Sequence, residues 1–173
     1  MIKAFISALA AATLLAPAAA PALPIDPAHQ AIVEAAAKAG VPVKLNTAMC
    51  EEHKGIAGYY NGAEMGICLR HGQWTLDDLD TLRHEAVHLT QDCLGDGRPN
   101  FIFNGRFTIL SHEDVKRFAA ETLTERELDH IVVSYHDADE QEILMELEAW
   151  SAAKAISPEV IAEAVTNACS LKK

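Results

Sequence analysis

The stretch TLDDLDTLRHEAVHLTQDCLG, residues 75–95, decides how the rest of this chain is read. Thr75 is a good N-cap, Asp78 stands three residues later in the place of a capping-box acid, and Asp77 adds favourable negative charge to the first turn. Gly95 supplies a C-terminal stop. Between these ends Leu79, Leu82, Ala86, Leu89 and Cys93 recur at helical spacing and form one apolar stripe. His84 and His88 project on roughly the opposite face, beside Thr81 and Gln91. Positions i and i+4 of a helix lie one above the other, so both imidazoles can ligate a single metal ion. Glu85, adjacent to the first of them, can reach a water on that ion. Two histidines leave positions open for a third protein ligand and a water, which is the arrangement catalytic zinc needs. The plain alternative is a pair of solvent-facing histidines.

Upstream of this helix the chain is well punctuated. Asp26 caps and Pro27 opens a first helix that runs to Gly40, with Pro42 beyond it. Residues 41–45 read as a short strand. Residues 56–60 and 64–69 flank Asn61, Gly62 and Ala63, and so read as a hairpin around an Asn-Gly turn. Downstream, residues 95–105 carry Gly, Pro and Asn and read as a loop. Ser111 with Asp114, Thr124 with Glu127, and Asp137 with Glu140 each mark a helix start, and Ser157-Pro158 opens a last helix. The expectation is an α+β fold, a small antiparallel sheet followed by a helical majority, in one domain over residues 23–173.

The first 22 residues are of a different kind. Lys3 precedes an apolar run at residues 4–15, too short to span a bilayer, and a small-residue stretch follows. This reads as a secretory signal peptide, cleaved after Ala18 or after Ala22. No later segment is apolar enough for a membrane span, so the expected mature protein is soluble, and secreted or periplasmic. About 150 residues remain, enough for one domain with a real core. All four cysteines, Cys50, Cys68, Cys93 and Cys169, lie in that part. An even number in an exported chain suggests two disulfides, with three possible connectivities. The expected pairs are Cys50–Cys68, closing a local hairpin, and Cys93–Cys169, tying the last helix to the motif-bearing one.

The chain has 25 acidic against 14 basic residues, a formal charge of −11, and no basic run. That balance argues against binding nucleic acid or anionic lipid. The helix beginning near Asp137 is expected to bring the third ligand, because it holds Glu142, Glu146 and Glu148. Its aliphatic stripe is Ile143, Leu144, Leu147 and Trp150. Glu142 and Glu146 flank the stripe on the side of Ala149 and Ala153, where small residues permit close helix approach, while Glu148 leans away and reads as a solvated position.

With these residues in place the chain resembles the zincin metallopeptidases, more narrowly the gluzincins. In that group an HExxH helix follows a small sheet, and a glutamate on a later helix completes the site. The matching residues are His84, Glu85 and His88, then Glu146-Leu147-Glu148-Ala149, whose first glutamate is the usual ligand in sequences of that pattern; Glu142 is the competing choice. The hairpin strand at residues 65–69 occupies the place of the edge strand that pairs with extended substrate. One position departs from the group: an aspartate that orients a histidine is common four residues after the ligand glutamate, and here Trp150 stands there. The resemblance implies one Zn2+ per chain and hydrolysis of peptide bonds in a peptide or protein substrate, with Glu85 as general base. A donor for the developing oxyanion is also needed, and Tyr135 and His136 are the candidates. His53, His71, His112 and His130 have no spacing that singles them out and read as surface residues. The competing functional class is an exported zinc-binding interaction protein with weak or no peptidase activity. A base beside the first ligand argues against it, because a structural zinc needs none.

Overall fold

The computed structural model describes residues 25–95 and 108–170. The signal segment and most of the loop at residues 95–105 lie outside them. In chain order the elements are α1 (Pro27–Lys38), β1 (Val43–Leu45), α2 (Ala48–Glu52), β2 (Gly58–Tyr60), β3 (Met65–Ile67), α3 (Leu76–Leu94), α4 (His112–Thr122), α5 (Glu125–Ser134), α6 (Glu140–Ala155) and α7 (Pro158–Ser170). This is an α+β domain with a helical majority.

Most boundaries follow from the capping residues. The Asp26 carboxylate accepts from the amides of Ala28 and His29, with Pro27 at the first helical position of α1. Thr75 and Asp78 form a reciprocal capping box on α3, and Thr124 and Glu127 form another on α5. Ser111 caps α4. The start of α6 differs from expectation: Asp139, not Asp137, accepts from the Glu142 amide. Two aspartates two residues apart compete for this role, and the turn that follows α5 selects the second. The short α2 carried no sequence signal.

The sheet has the order β1-β3-β2. The hairpin partners β2 and β3 are antiparallel, with Tyr59 opposite Gly66, while β1 joins β3 in parallel and makes the sheet mixed. The strand at residues 65–69 is therefore central, and the edge role assigned to it passes elsewhere. Both remaining edges belong to β1 and β2. At Gly66 the Tyr59 ring lies where a Cβ would stand, 2.1 Å from Cε1, so a side chain there would displace that ring.

The main core joins α1, α3, α7 and the sheet through Ile32, Ala36, Met65, Ile67, Leu82, Leu89, Ile161 and Val165. A second cluster unites Val87 of α3 with Ala149 and Ala152 of α6 and with Phe118 of α4. Helix α3 is thus covered on both sides. Both expected disulfides are present: Cys50–Cys68 ties α2 to the end of β3, and Cys93–Cys169 joins the C-terminal turns of α3 and α7. Their loops of 18 and 76 residues correspond to about 3 and about 4–5 kcal/mol in the chain-entropy account. Two disulfides fit an oxidising compartment. No described helix is long and apolar enough to cross a membrane.

Candidate metal centre

The polar face of α3 meets α6, and the contact brings together side chains 60 residues apart. His84 and His88 are buried, each 5% exposed, and their Nε2 atoms lie 2.9 Å apart. The Glu146 carboxylate straddles them: Oε2 is 3.4 Å from Nε2 of His84 and Oε1 is 3.3 Å from Nε2 of His88. Donor atoms around a tetrahedral ion with bonds of 2.0–2.1 Å stand about 3.3–3.4 Å apart. Both histidine–carboxylate edges of this triangle match that spacing, and the edge between the imidazoles, at 2.9 Å, is shorter. Two further observations agree. Glu146 Oε2 is buried with no hydrogen-bond partner among the described residues. Glu85 also turns a carboxylate oxygen to within 4.8 Å of both histidines, so the buried group of His84, Glu85 and His88 could hold a metal ion.

The two carboxylates are in different electrostatic states. Burial pushes the Glu85 carboxyl up, aided by the charge of Glu146 and opposed by the histidines. Glu146 goes the other way: burial pushes it up, but the charge on His88 and the contacts of both imidazoles outweigh that and hold it well below the usual carboxylate range. For His88, burial opposes protonation, yet Glu146 first and then Glu85 and Gln91 raise the ring to about 9. A metal held here would displace that proton.

What orients the His88 ring was not visible in the sequence. Nδ1 of His88 meets Oε1 of Gln91 at 2.8 Å, and Gln91 is itself held by Glu148. Glu148, read as solvated, is 2% exposed and accepts from Gln91 and from the amides of Ile109 and Leu110. The correction has a physical cause. Leu144, Met145, Ala149, Ala152 and Ala153 are buried along with Glu146, Glu148 and Ser151, so the middle of α6 is enclosed on nearly every side and has no broad solvent face there. The apolar residues set all around Glu148 were the signal that could have identified it. Gln91 was placed on the histidine face, three residues after His88, but without a role. His84 has no such support; its Nδ1 lacks a hydrogen-bond partner among the described residues, and the Trp150 ring packs against it at 4.3 Å between centroids. The tryptophan thus fills the position where the resembling group carries aspartate.

Of the two candidate oxyanion donors, Tyr135 reaches the site and His136 does not. The Tyr135 phenol is pushed above its ordinary range by burial, then by the Glu146 carboxylate beside it and the charges of Glu85 and Glu142. It stays protonated and can donate. His136 is 71% exposed and turns to the Val133 carbonyl and Asp137. At the end of α5 consecutive side chains diverge, so one faces α6 and the next faces water. Glu142 stands one turn before Glu146, near the start of α6, and is half-buried. His53, His71, His112 and His130 are all exposed.

Strand β2 flanks the group from the sheet side. A Cβ at Gly58 would stand 2.5 Å from Thr81 Cγ2 and 3.4 Å from Glu85 Oε1. Glycine is what allows this strand to lie against the helix at the level of Glu85. No family model, curated protein or solved structure matches the chain.

Proposed function

We propose that this chain is an exported, zinc-dependent metallopeptidase of the zincin type, resembling the gluzincins, with His84, His88 and Glu146 as the metal ligands. The observation that carries the reading is the buried triangle of two imidazole nitrogens and one carboxylate with a second carboxylate, Glu85, alongside. The donor set of two histidines and one glutamate suits zinc with an open position. Zinc bound there supplies an electrophile that polarises a carbonyl and makes water acidic near neutral pH.

The chain's own residues do the rest. Glu85, whose proton affinity is raised by burial, takes a proton from the attacking water and delivers it to the leaving amine. Tyr135 supplies a neutral hydroxyl donor beside the site for charge developing on the carbonyl oxygen. Because β3 is paired on both sides, the edge available to an extended peptide next to Glu85 is β2. Signal-directed export and two disulfides together suit a secreted or periplasmic enzyme.

One observation favours the second reading, an exported zinc-binding protein with no peptidase activity: His84, Glu85, His88 and Glu146 are each at most 7% exposed. Elemental analysis and digestion of a broad peptide library by the mature protein separate the two. The peptidase reading expects one zinc per chain, cleavage, and a fall of some 10²–10⁴-fold in Glu85→Gln with zinc retained. Zinc without cleavage of any peptide supports the binding protein. Absence of zinc overturns both.

A further inference from the structure

We infer that Gln91 and Glu148 are positioning residues that couple the metal seat to the turn at residues 108–110, an inference that rests on the metal-binding reading above. The hydrogen-bond directions are fixed by the chemistry of the groups. The Gln91 amide nitrogen lies 3.1 Å from the Met145 carbonyl oxygen and 2.9 Å from Glu148 Oε2. The Met145 carbonyl can only accept, so this end of the amide must be the NH2, and Glu148 takes its other hydrogen. The amide oxygen therefore faces His88. It can only accept, so Nδ1 of His88 carries a hydrogen and donates across the 2.8 Å contact. The ring is thereby turned so that Nε2 meets His84 and Glu146.

Glu148 anchors the other end. It brings a carboxylate into the interior, where an ion is tolerated only if donors replace its water. Three N–H groups do so: Leu110 to Oε1 at 2.7 Å, and Ile109 at 2.8 Å with Gln91 at 2.9 Å to Oε2. Ile109 and Leu110 remain 41% and 40% exposed, so their burial seats this turn only in part. Its backbone is held by Glu148, with a further bond from the Thr108 hydroxyl to the Leu110 carbonyl. One carboxylate thus orients a metal ligand through Gln91 and fixes a surface turn. Free energy placed on either end is felt at the other, because coupling between two sites is reciprocal.

The test uses Gln91→Met, which cuts the link but leaves both backbone bonds of Glu148, and Glu148→Gln, which keeps the shape but offers only one acceptor oxygen to three donors. Zinc affinity is measured by chelator competition, the His88 ring by ¹⁵N NMR, and the Ile109 and Leu110 amides by hydrogen exchange. Each variant is expected to bind zinc about 10–100-fold more weakly, and the double variant about as weakly as either, since both break one link. In the parent, zinc slows exchange of the two amides; in Gln91→Met it does not. Unchanged affinity, or losses that multiply in the double variant, overturns the coupling. If the parent takes no zinc, the proposed function falls, and the relay is decided in the metal-free protein alone. A protected His88 Nδ1–H that is lost in Gln91→Met upholds it; equal protection in both refutes it.

Discussion

On one side of α3, Leu82, Ala86, Leu89 and Cys93 pack into the core formed with α1, α7 and the sheet; on the other, His84, His88 and Gln91 meet Glu146 and Glu148 of α6. Both sides are buried, yet they are held by different forces. The first depends on area removed from water and on close packing, which are non-directional and spread over many atoms. The second depends on a few atoms with fixed donor and acceptor roles, where one mispaired group counts. Burial alone does not say what a helix face is for. Non-directional packing dominates one side of α3, and the proposed chemistry belongs to the other.

The most direct way to break this comparison is to truncate one residue on each side. Leu89→Ala, at a site 1% exposed, is expected to cost about 2–5 kcal/mol while leaving zinc content at one per chain. His88→Ala, one position earlier, is expected to take zinc content to none. Denaturant unfolding and elemental analysis on the same samples check both. Loss of zinc in Leu89→Ala under conditions where it remains folded would show that the two faces are not separable.

Gly58 sharpens the boundary between the sheet and the polar face. A methyl group there meets Thr81 Cγ2 at 2.5 Å and the Gly66 carbonyl at 2.9 Å, and the second neighbour is backbone that cannot rotate away. Gly58→Ala is expected to cost about 1–3 kcal/mol by overpacking and to move β2 away from Glu85. The unfolding midpoint reads the first effect, and peptide cleavage with zinc still bound reads the second. A variant as stable and as active as the parent would mean that β2 does not bear on the site.

The smallest effect lies on the outer surface of α6, far from this contrast. Lys154 holds the Glu127 carboxyl down to about 2, with help from the Thr124 cap. A carboxylate depressed in the folded state adds stability that is present above its ordinary value and lost as pH falls toward its folded value. The window here runs from roughly pH 4.5 down to about 2. Because Glu127 and Lys154 are 44% and 41% exposed, screening keeps the contribution under about 1 kcal/mol. Lys154→Met should flatten that part of the acid unfolding profile, measured by denaturant midpoint against pH, and lower the plateau above about pH 5 slightly without changing its slope. An unaltered acid limb would show that Thr124 alone depresses the carboxyl.

Local signals in the chain carried much of the fold because caps and turns act over three or four residues. Thr75 with Asp78, Thr124 with Glu127, and the Asn61-Gly62 hairpin need no distant partner to take their shape. The two disulfide pairings match expectation, Cys50–Cys68 as the local closure and Cys93–Cys169 as the tie between the motif-bearing helix and the last one. The pairing of β1 with β3 was not, since parallel neighbours are joined across more than fifteen residues and nothing local records which edge is taken.

The candidate site divides along the same line. Spacing by itself determined that His84 and His88 share a face with Glu85 beside them, because a helix repeats every 3.6 residues whatever surrounds it. The sequence pattern also pointed to Glu146 on the later helix, where the structure places it against both imidazoles, but only the tertiary structure decided how fully α6 closes this face and that Tyr135 turns inward while His136 turns out. It alone set Glu148 behind Gln91 as the anchor of His88. These outcomes depend on the rotation of α6 about its own axis as it packs on α3. For a helix enclosed on nearly every side through its middle, its own aliphatic stripe does not fix that rotation, and the packing partners choose it.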